Sequence, residues 1–133
     1  MLTLISMIAA LSAQDALPEL NAPRRPAVEC AEHVRDDSAR RSCLRGLLDD
    51  SEESLDEALR EARNEAEEID MDFPGFANAR AGLDAAHTAW ITYRDAECER
   101  RAALLLMGED GDELALDCQI ALTRARAAEL REN

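Results

Sequence analysis

Residues 87–98, HTAWITYRDAEC, hold side-chain types that could perform acid–base or nucleophilic chemistry. A catalytic cysteine needs a neighbouring base such as histidine, so His87 and Cys98 are the pair to consider. Steps of four place Trp90, Arg94 and Cys98 on one helix face, with His87 three residues before Trp90. Because Cys98 is expected to be oxidised, it is no nucleophile, and no serine or free cysteine is placed beside His87. The segment therefore predicts a structural helix face rather than a catalytic set.

The structural interpretation assigns a place to each of these side chains. Trp90 is predicted to fill the core, and Arg94 to bridge to acids of the first long helix. Tyr93 lies on a neighbouring face, and Asp95 points to solvent or to another helix. The alternative interpretation is that this face of the helix binds a partner or a ligand.

The chain has four cysteines, and their even number favours two disulfides in an oxidising compartment over a metal site. Zinc ligands usually come in close pairs, and these cysteines are separated by 13, 55 and 20 residues with no C-x-x-C. His33 and His87 lie in no recognisable ligand pattern. We therefore predict disulfides and no metal or other cofactor. The cysteines are Cys30, Cys43, Cys98 and Cys118.

Acidic side chains are concentrated in residues 49–72, where twelve carboxylates and two arginines give a local charge of −10. Such a run usually forms a solvated helix face. The alternative is a docking surface for a cationic protein. The candidate partner-binding residues are Asp49, Asp50, Glu52, Glu53, Asp56 and Glu57.

A second acidic stretch, residues 108–117, GEDGDELALD, brings Asp110 and Asp112 close together in the sequence. It lacks the glycine at the sixth position and the alternating ligands of a calcium-binding EF-hand loop. The stretch therefore predicts no calcium site.

Composition limits the function further. The net charge is −14, and every basic residue is arginine. Phosphate binding needs a basic surface, so nucleic acid is excluded as a partner, and anionic membrane surfaces are disfavoured for the same reason. A basic protein would be attracted and steered by such a charge.

The first residues predict an export signal. Residues 2–11, LTLISMIAAL, form an apolar run that is too short to span a membrane, and small residues follow it. We predict a signal peptide at 1–13, cut after Ser12 or Ala13, with no membrane insertion after cleavage. The alternative is an apolar helix that packs on the domain. Three prolines predict an extended lead-in at 14–27, and the domain then covers 28–133.

Helix-favouring residues dominate this domain, and helical spacing of the apolar positions predicts three long segments. The first runs over 37–69 and is either one kinked helix or two helices, because Gly46 and a possible capping box at Ser54 interrupt it. The second runs over 75–107, with Phe76 and Leu104 or Leu105 on its inner stripe, and the third over 112–130. Short connections make neighbouring helices antiparallel. The expected fold is an all-α, small antiparallel bundle of three to four helices stapled by two disulfides.

The hairpin between the last two helices suggests how the cysteines pair. Its turn centres near residue 109, so Cys98 and Cys118 differ in axial position by only about 3 Å at 1.5 Å per residue. A bridge between them is plausible, and Cys30 would then pair with Cys43. Four cysteines allow three pairings, so the other two pairings stay open.

The stretches LDAAHTAWITYRDAEC and CQIALTRARAAEL resemble the LprI-type lysozyme inhibitor family. That family combines a tryptophan, a Tyr-Arg-Asp triplet three residues later, a cysteine, and a second cysteine before T-x-x-R-x-x-x-L. The resemblance covers about residues 28–131. It implies a helical, disulfide-bonded domain and lysozyme inhibition as a candidate activity. The signature residues are Trp90, Tyr93, Arg94 and Asp95. The other matching positions are Cys98, Cys118, Thr123, Arg126 or Arg124, and Leu130.

Two functions follow as hypotheses. The first is a non-enzymatic protein, periplasmic or secreted, that binds and inhibits a basic lysozyme-like muramidase. The second is a structural or adaptor domain of the cell envelope that binds another protein without affecting lysozyme. An enzyme is not expected, since no nucleophile, metal cluster or phosphate loop is visible. The oligomeric state is left open.

Overall fold

A computed structural model describes residues 25–105 and 109–132 of the protein. Every regular element in this part of the chain is helical. Consecutive long helices run antiparallel, so the first and the third run parallel to each other. The prediction of a small all-α bundle with two disulfides is confirmed. The predicted signal peptide at 1–13 and most of the lead-in lie outside the described residues. The elements are α1 (Pro26–Glu29), a 3-10 turn (Ala31–His33), α2 (Asp37–Asp72), α3 (Ala79–Ala103) and α4 (Glu109–Arg131).

The short helix α1 replaces the end of the expected lead-in. Pro26 and Ala27 are helical rather than extended. Proline suits this first helical position because its fixed φ is helical and its missing N–H needs no partner there. The Ala27 amide donates to the Asp117 carboxylate of α4 at 2.8 Å, which holds α1 against the bundle.

The first long segment is one helix, α2, of 36 residues. The Asp36 side chain caps it by accepting from the Ala39 amide at 3.0 Å. Gly46 and Ser54 both lie inside the helix. Ser54 begins no new helix; its hydroxyl and its carbonyl instead accept hydrogen bonds from Arg131 of α4 at 3.2 and 3.0 Å. Of the two alternatives that the sequence left open, the structure therefore has the single helix.

The second helix, α3, begins four residues later than the sequence predicted. The Asp70 carboxylate, on α2, accepts from the backbone amides of Ala79 and Arg80 at 2.7 and 3.0 Å. These are amides of the first turn, which have no partner within their own helix. Phe76, predicted on the inner stripe of α3, precedes the helix and is 93% exposed.

The same helix also ends earlier than predicted, at Ala103. Leu104 and Leu105, one of which was expected on the inner stripe, are both exposed. The next helix, α4, begins at Glu109, three residues before its predicted start. Met107, the predicted end of α3, lies outside the described residues.

The core has two centres along α2, which packs most extensively against α4. One lies near the N-terminus of α2 and contains Cys30, Leu44 and Ile120. The other lies further along and is larger, with Trp90 and Leu83 of α3 packed against it. Its buried members are Leu55, Ala58, Leu59, Ala127 and Leu130.

Both predicted disulfides are confirmed. Cys30 pairs with Cys43, and Cys98 pairs with Cys118, with Cα atoms 5.9 and 5.5 Å apart. They lie at the same end of the bundle, because Cys43 is near the start of α2 while Cys98 is near the end of α3. We call this the disulfide end and the opposite one the α2–α3 end.

Candidate functional site

Two of the signature residues, Trp90 and Arg94, form a stack with His87 on α3. The His87 and Trp90 rings lie parallel, 15° apart in plane and 5.8 Å apart in centroid. The Arg94 guanidinium lies 5.3 Å from the Trp90 ring centroid, which is cation–π geometry. Trp90 itself is half-buried, so it borders the core against which it packs rather than filling it.

Arg94 connects three helices. Its Nη1 lies 3.4 Å from Oε1 of Glu52 on α2 and 3.3 Å from the hydroxyl of the fully buried Thr123 on α4. Its Nε donates to Asp95, its own neighbour, at 2.9 Å. The sequence predicted a bridge from Arg94 to an acid of the first long helix, and Glu52 is that acid. Tyr93 is exposed and takes no part in this cluster.

A small open cavity of about 160 Å³ lies beside the stack. Burial, and then the charges of Arg63 and Arg126, lower the pKa of His87 below its usual 6.5. This shift favours the neutral imidazole, whose Nδ1 is buried without a hydrogen-bond partner among the described residues. The lining residues are Glu52, Leu55, Asp56, His87, Trp90, Ile91 and Arg94.

The acids predicted to bind a partner all lie on the exposed side of α2. Asp49, Glu53 and Asp56 follow one another at steps of four and three, which keeps them on one face. The buried side chains of the same stretch, such as Leu55 and Ala58, point to the other side. We call Asp49, Asp50, Glu52, Glu53, Asp56 and Glu57 the acidic face.

Two members of the acidic face form ion pairs with arginines. Glu52 contacts Arg94, and Glu57 lies 3.8 Å from both Arg60 and Arg131. No ion pair within 4 Å joins the other four acids to a cation of the described residues. Most of this negative charge is therefore left for solvent or a partner.

Sequence patterns did not reveal two further ion pairs that hold the bundle together. Arg124 of α4 donates to Glu29 of α1 at 2.5 Å, and this hydrogen bond raises the pKa of Arg124 although burial acts to lower it. Arg40 of α2 donates to Glu113 of α4 at 2.8 Å. Partners 95 and 73 residues apart carry no local signal in the sequence.

The chemistry available in the described part of the chain is limited. All four cysteines are in disulfides, so none supplies a thiolate. Within residues 25–105 and 109–132, no group of three or more side chains is arranged to hold a metal ion. Residues 109–117 belong to α4, so the stretch compared with a calcium loop is helix. No helix of this part of the chain is long and apolar enough to cross a bilayer.

Fold and site together define a small disulfide-bonded helical domain with an acidic face and no assembled reactive centre among the described residues. The model of the lysozyme inhibitor LprI family matches residues 30–130. The chain therefore belongs to this family. The match includes all four cysteines and all four signature residues, and this family is one of inhibitors rather than enzymes.

One similar protein is an uncharacterised protein of Rhizobium meliloti (strain 1021). It is 40% identical over 57 residues, which are 43% of this chain and 41% of that protein. The aligned region thus spans less than half the length of the relative. No solved structure matches the chain.

Proposed function

We propose that the protein is an exported, non-enzymatic inhibitor that binds a basic lysozyme-like muramidase through the acidic face of α2. The observation that carries this proposal is the exposure of six clustered carboxylates on a member of the lysozyme inhibitor LprI family. Four of them form no ion pair with a cation of the described residues. A concentrated negative face opposite a cationic enzyme accelerates association and favours the correct orientation.

Export is supported by two features. The apolar run at residues 2–11 has the composition of a signal peptide. The two disulfides fit an oxidising compartment such as the periplasm or the extracellular space. A muramidase acting on the cell wall would be met in the same place.

The first test measures the muramidase activity of egg-white lysozyme with and without the purified, oxidised protein. We expect inhibition at low ionic strength that weakens as salt increases, because the Debye length falls from about 30 Å at 0.01 M to about 10 Å at 0.1 M. An absence of inhibition at micromolar excess and low salt contradicts the proposal. In that case an adaptor role with another envelope protein would account better for the acidic face.

The second test removes three charges of the acidic face by Asp49→Asn/Glu53→Gln/Asp56→Asn. We expect about tenfold weaker binding to egg-white lysozyme at low salt, since close interfacial charges contribute on the order of 1.5 kcal/mol or more. The measurement is the dissociation constant from titration calorimetry.

The matched control is Glu99→Gln/Asp110→Asn/Glu132→Gln, which changes the net charge by the same amount at exposed positions outside α2. We expect this control to weaken binding by no more than about twofold, because only long-range attraction is reduced. Equal losses in the two variants would show that the total charge, not the acidic face, determines binding.

A further inference from the structure

An exposed apolar turn lies at the α2–α3 end. Met71, Phe73 and Phe76 are 72%, 59% and 93% exposed, and we call these three side chains the apolar tip. Both phenylalanines of the chain are in it, although only four of 133 residues are aromatic. Large apolar side chains clustered on a surface often mark interaction sites, whereas single ones need no explanation.

The turn that presents the apolar tip has a defined shape. The Phe76 amide donates to the Phe73 carbonyl at 3.1 Å, and Pro74 and Gly75 lie between them. Gly75 has φ +83°, as the third residue of a type II turn requires, and proline is favoured at the second. On the α2 side, the Phe73 amide donates to the Ile69 carbonyl at 3.0 Å and continues the helix pattern.

Polar contacts hold both sides of this turn. Asp70 joins the end of α2 to the start of α3 through the amides of Ala79 and Arg80. The Arg80 side chain pairs with Glu67 and donates to Asp84 at 2.9 Å. Because the turn is ordered before any partner arrives, little conformational entropy is lost when it binds.

Met71 of the apolar tip lies on the same side of α2 as the acidic face. Glu67 lies eleven residues, or about three helical turns, after Asp56, and Met71 lies four residues after Glu67. Met71 therefore shares a side of the helix with Asp49 and Glu53. At 1.5 Å per residue, the surface from Asp49 to Met71 is about 33 Å long, which is the scale of one small protein domain.

Charge selects the occupant of this surface. Glu67, Glu68 and Asp72 are exposed around the tip, so a second copy of this acidic chain would be repelled. A basic surface with an apolar recess complements both the carboxylates and the phenyl rings. We propose that the apolar tip is the anchor that inserts into an apolar recess of the basic muramidase. This inference rests on the proposed function.

The test compares Phe73→Ser/Phe76→Ser with wild type in binding to egg-white lysozyme at 20 and 500 mM salt. We expect on the order of 30-fold weaker binding or more, as for truncation of an interface hot spot. The loss should persist at high salt, because an apolar contact is not screened, unlike the loss from the acidic face. The single variant Phe76→Ser, at a 93% exposed position, provides a second measurement if the double variant fails to fold.

The matched control is Val34→Ser/Leu104→Ser, which removes two similarly exposed apolar side chains near the disulfide end. It should bind within about twofold of wild type, and exposed substitutions of this kind should leave thermal stability nearly unchanged. If wild type binds and the tip variants bind equally well, the anchor is overturned while the proposed function stands.

Two other outcomes also overturn the anchor. If wild type does not bind egg-white lysozyme at all, the proposed function and the anchor fail together. If sedimentation shows that wild type self-associates and that Phe73→Ser/Phe76→Ser abolishes the association, the tip is a contact between copies of this chain.

Discussion

At the disulfide end of the bundle, Cys30–Cys43 and Cys98–Cys118 join the N-terminal elements to α2 and α3 to α4. At the α2–α3 end, arginine and carboxylate side chains make the connections instead. Arg63 of α2 and Arg80 of α3 both donate to Asp84, at 2.8 and 2.9 Å, and together they lower the pKa of that carboxyl.

The difference between the two ends concerns what each end leaves exposed. The disulfide end closes chain loops covalently, and its core residues Leu44 and Ile120 are buried. The α2–α3 end is held by directional hydrogen bonds, and these order a turn that keeps its phenylalanines in solvent. We therefore expect the covalent links to make the disulfide end the more stable of the two, while the other end presents a shaped surface.

The largest expected effect in this comparison comes from removing a disulfide. Cys98→Ala/Cys118→Ala opens a loop with a sequence separation of 20. We expect a loss of about 3 kcal/mol in the free energy of unfolding, because the unfolded chain regains loop entropy. Urea unfolding of the variant and the oxidised wild type measures it. A loss below about 1 kcal/mol would show that the disulfide end does not dominate stability.

A smaller effect is expected at the α2–α3 end from Asp70→Asn. The substitution weakens the acceptor of the Ala79 and Arg80 amides, and loss of a comparable helix cap costs about 1 kcal/mol. Hydrogen exchange should accelerate at the start of α3 and stay unchanged near Cys98.

The control for Asp70 is Asp72→Asn, the same chemical change two residues later at an exposed position. We expect it to leave both stability and exchange near their wild-type values. Equal effects of the two variants would mean that charge around the turn, and not the hydrogen bonds of Asp70, orders it.

The smallest effect is expected for Glu97, whose contacts stay within one helix near the disulfide end. Hydrogen bonds from Arg100 and Arg101 lower the pKa of Glu97 to about 2. Because this folded-state pKa is depressed, its stabilisation is present above about pH 4.5, the usual value, and is lost as pH falls toward 2. The difference in stability between wild type and Glu97→Gln should shrink over that range, measured by unfolding at several pH values.

Glu99→Gln serves as the control, since Glu99 is exposed on the same helix. Its difference from wild type should vary less with pH between 4.5 and 2. If Glu97→Gln behaves like this control, the arginine contacts of Glu97 do not stabilise the fold.

The sequence predicted the parts of this protein that depend on local spacing. Helical periodicity located three long helices, and their antiparallel order placed Cys98 opposite Cys118. It could not predict where α3 begins, because that position depends on the Asp70 carboxylate of another helix. The exposure of Phe76 was missed for the same reason, since its spacing alone continues an apolar stripe.

For the candidate site, the sequence identified the residues but not their contacts. The acid run and the signature residues were recognisable from composition and motif, and the bridge from Arg94 to α2 was expected. The contact of Arg94 with Thr123 was not expected, because it forms only when α4 packs beside α3. The turn at Gly75 is likewise followed by hydrogen bonds that the Asp70 carboxylate accepts, which no local pattern records.

By itself, the sequence determined a helical chain, two disulfides and a strongly acidic helix face. Periodicity, cysteine number and charge follow from the order and types of the residues and do not depend on how the helices pack. Tertiary structure alone decided that α2 is continuous, that α3 begins at Ala79, and that the phenylalanines stand in solvent. The start of α3, in particular, depends on hydrogen bonds that Asp70 of α2 accepts, and their geometry exists only after the helices have packed.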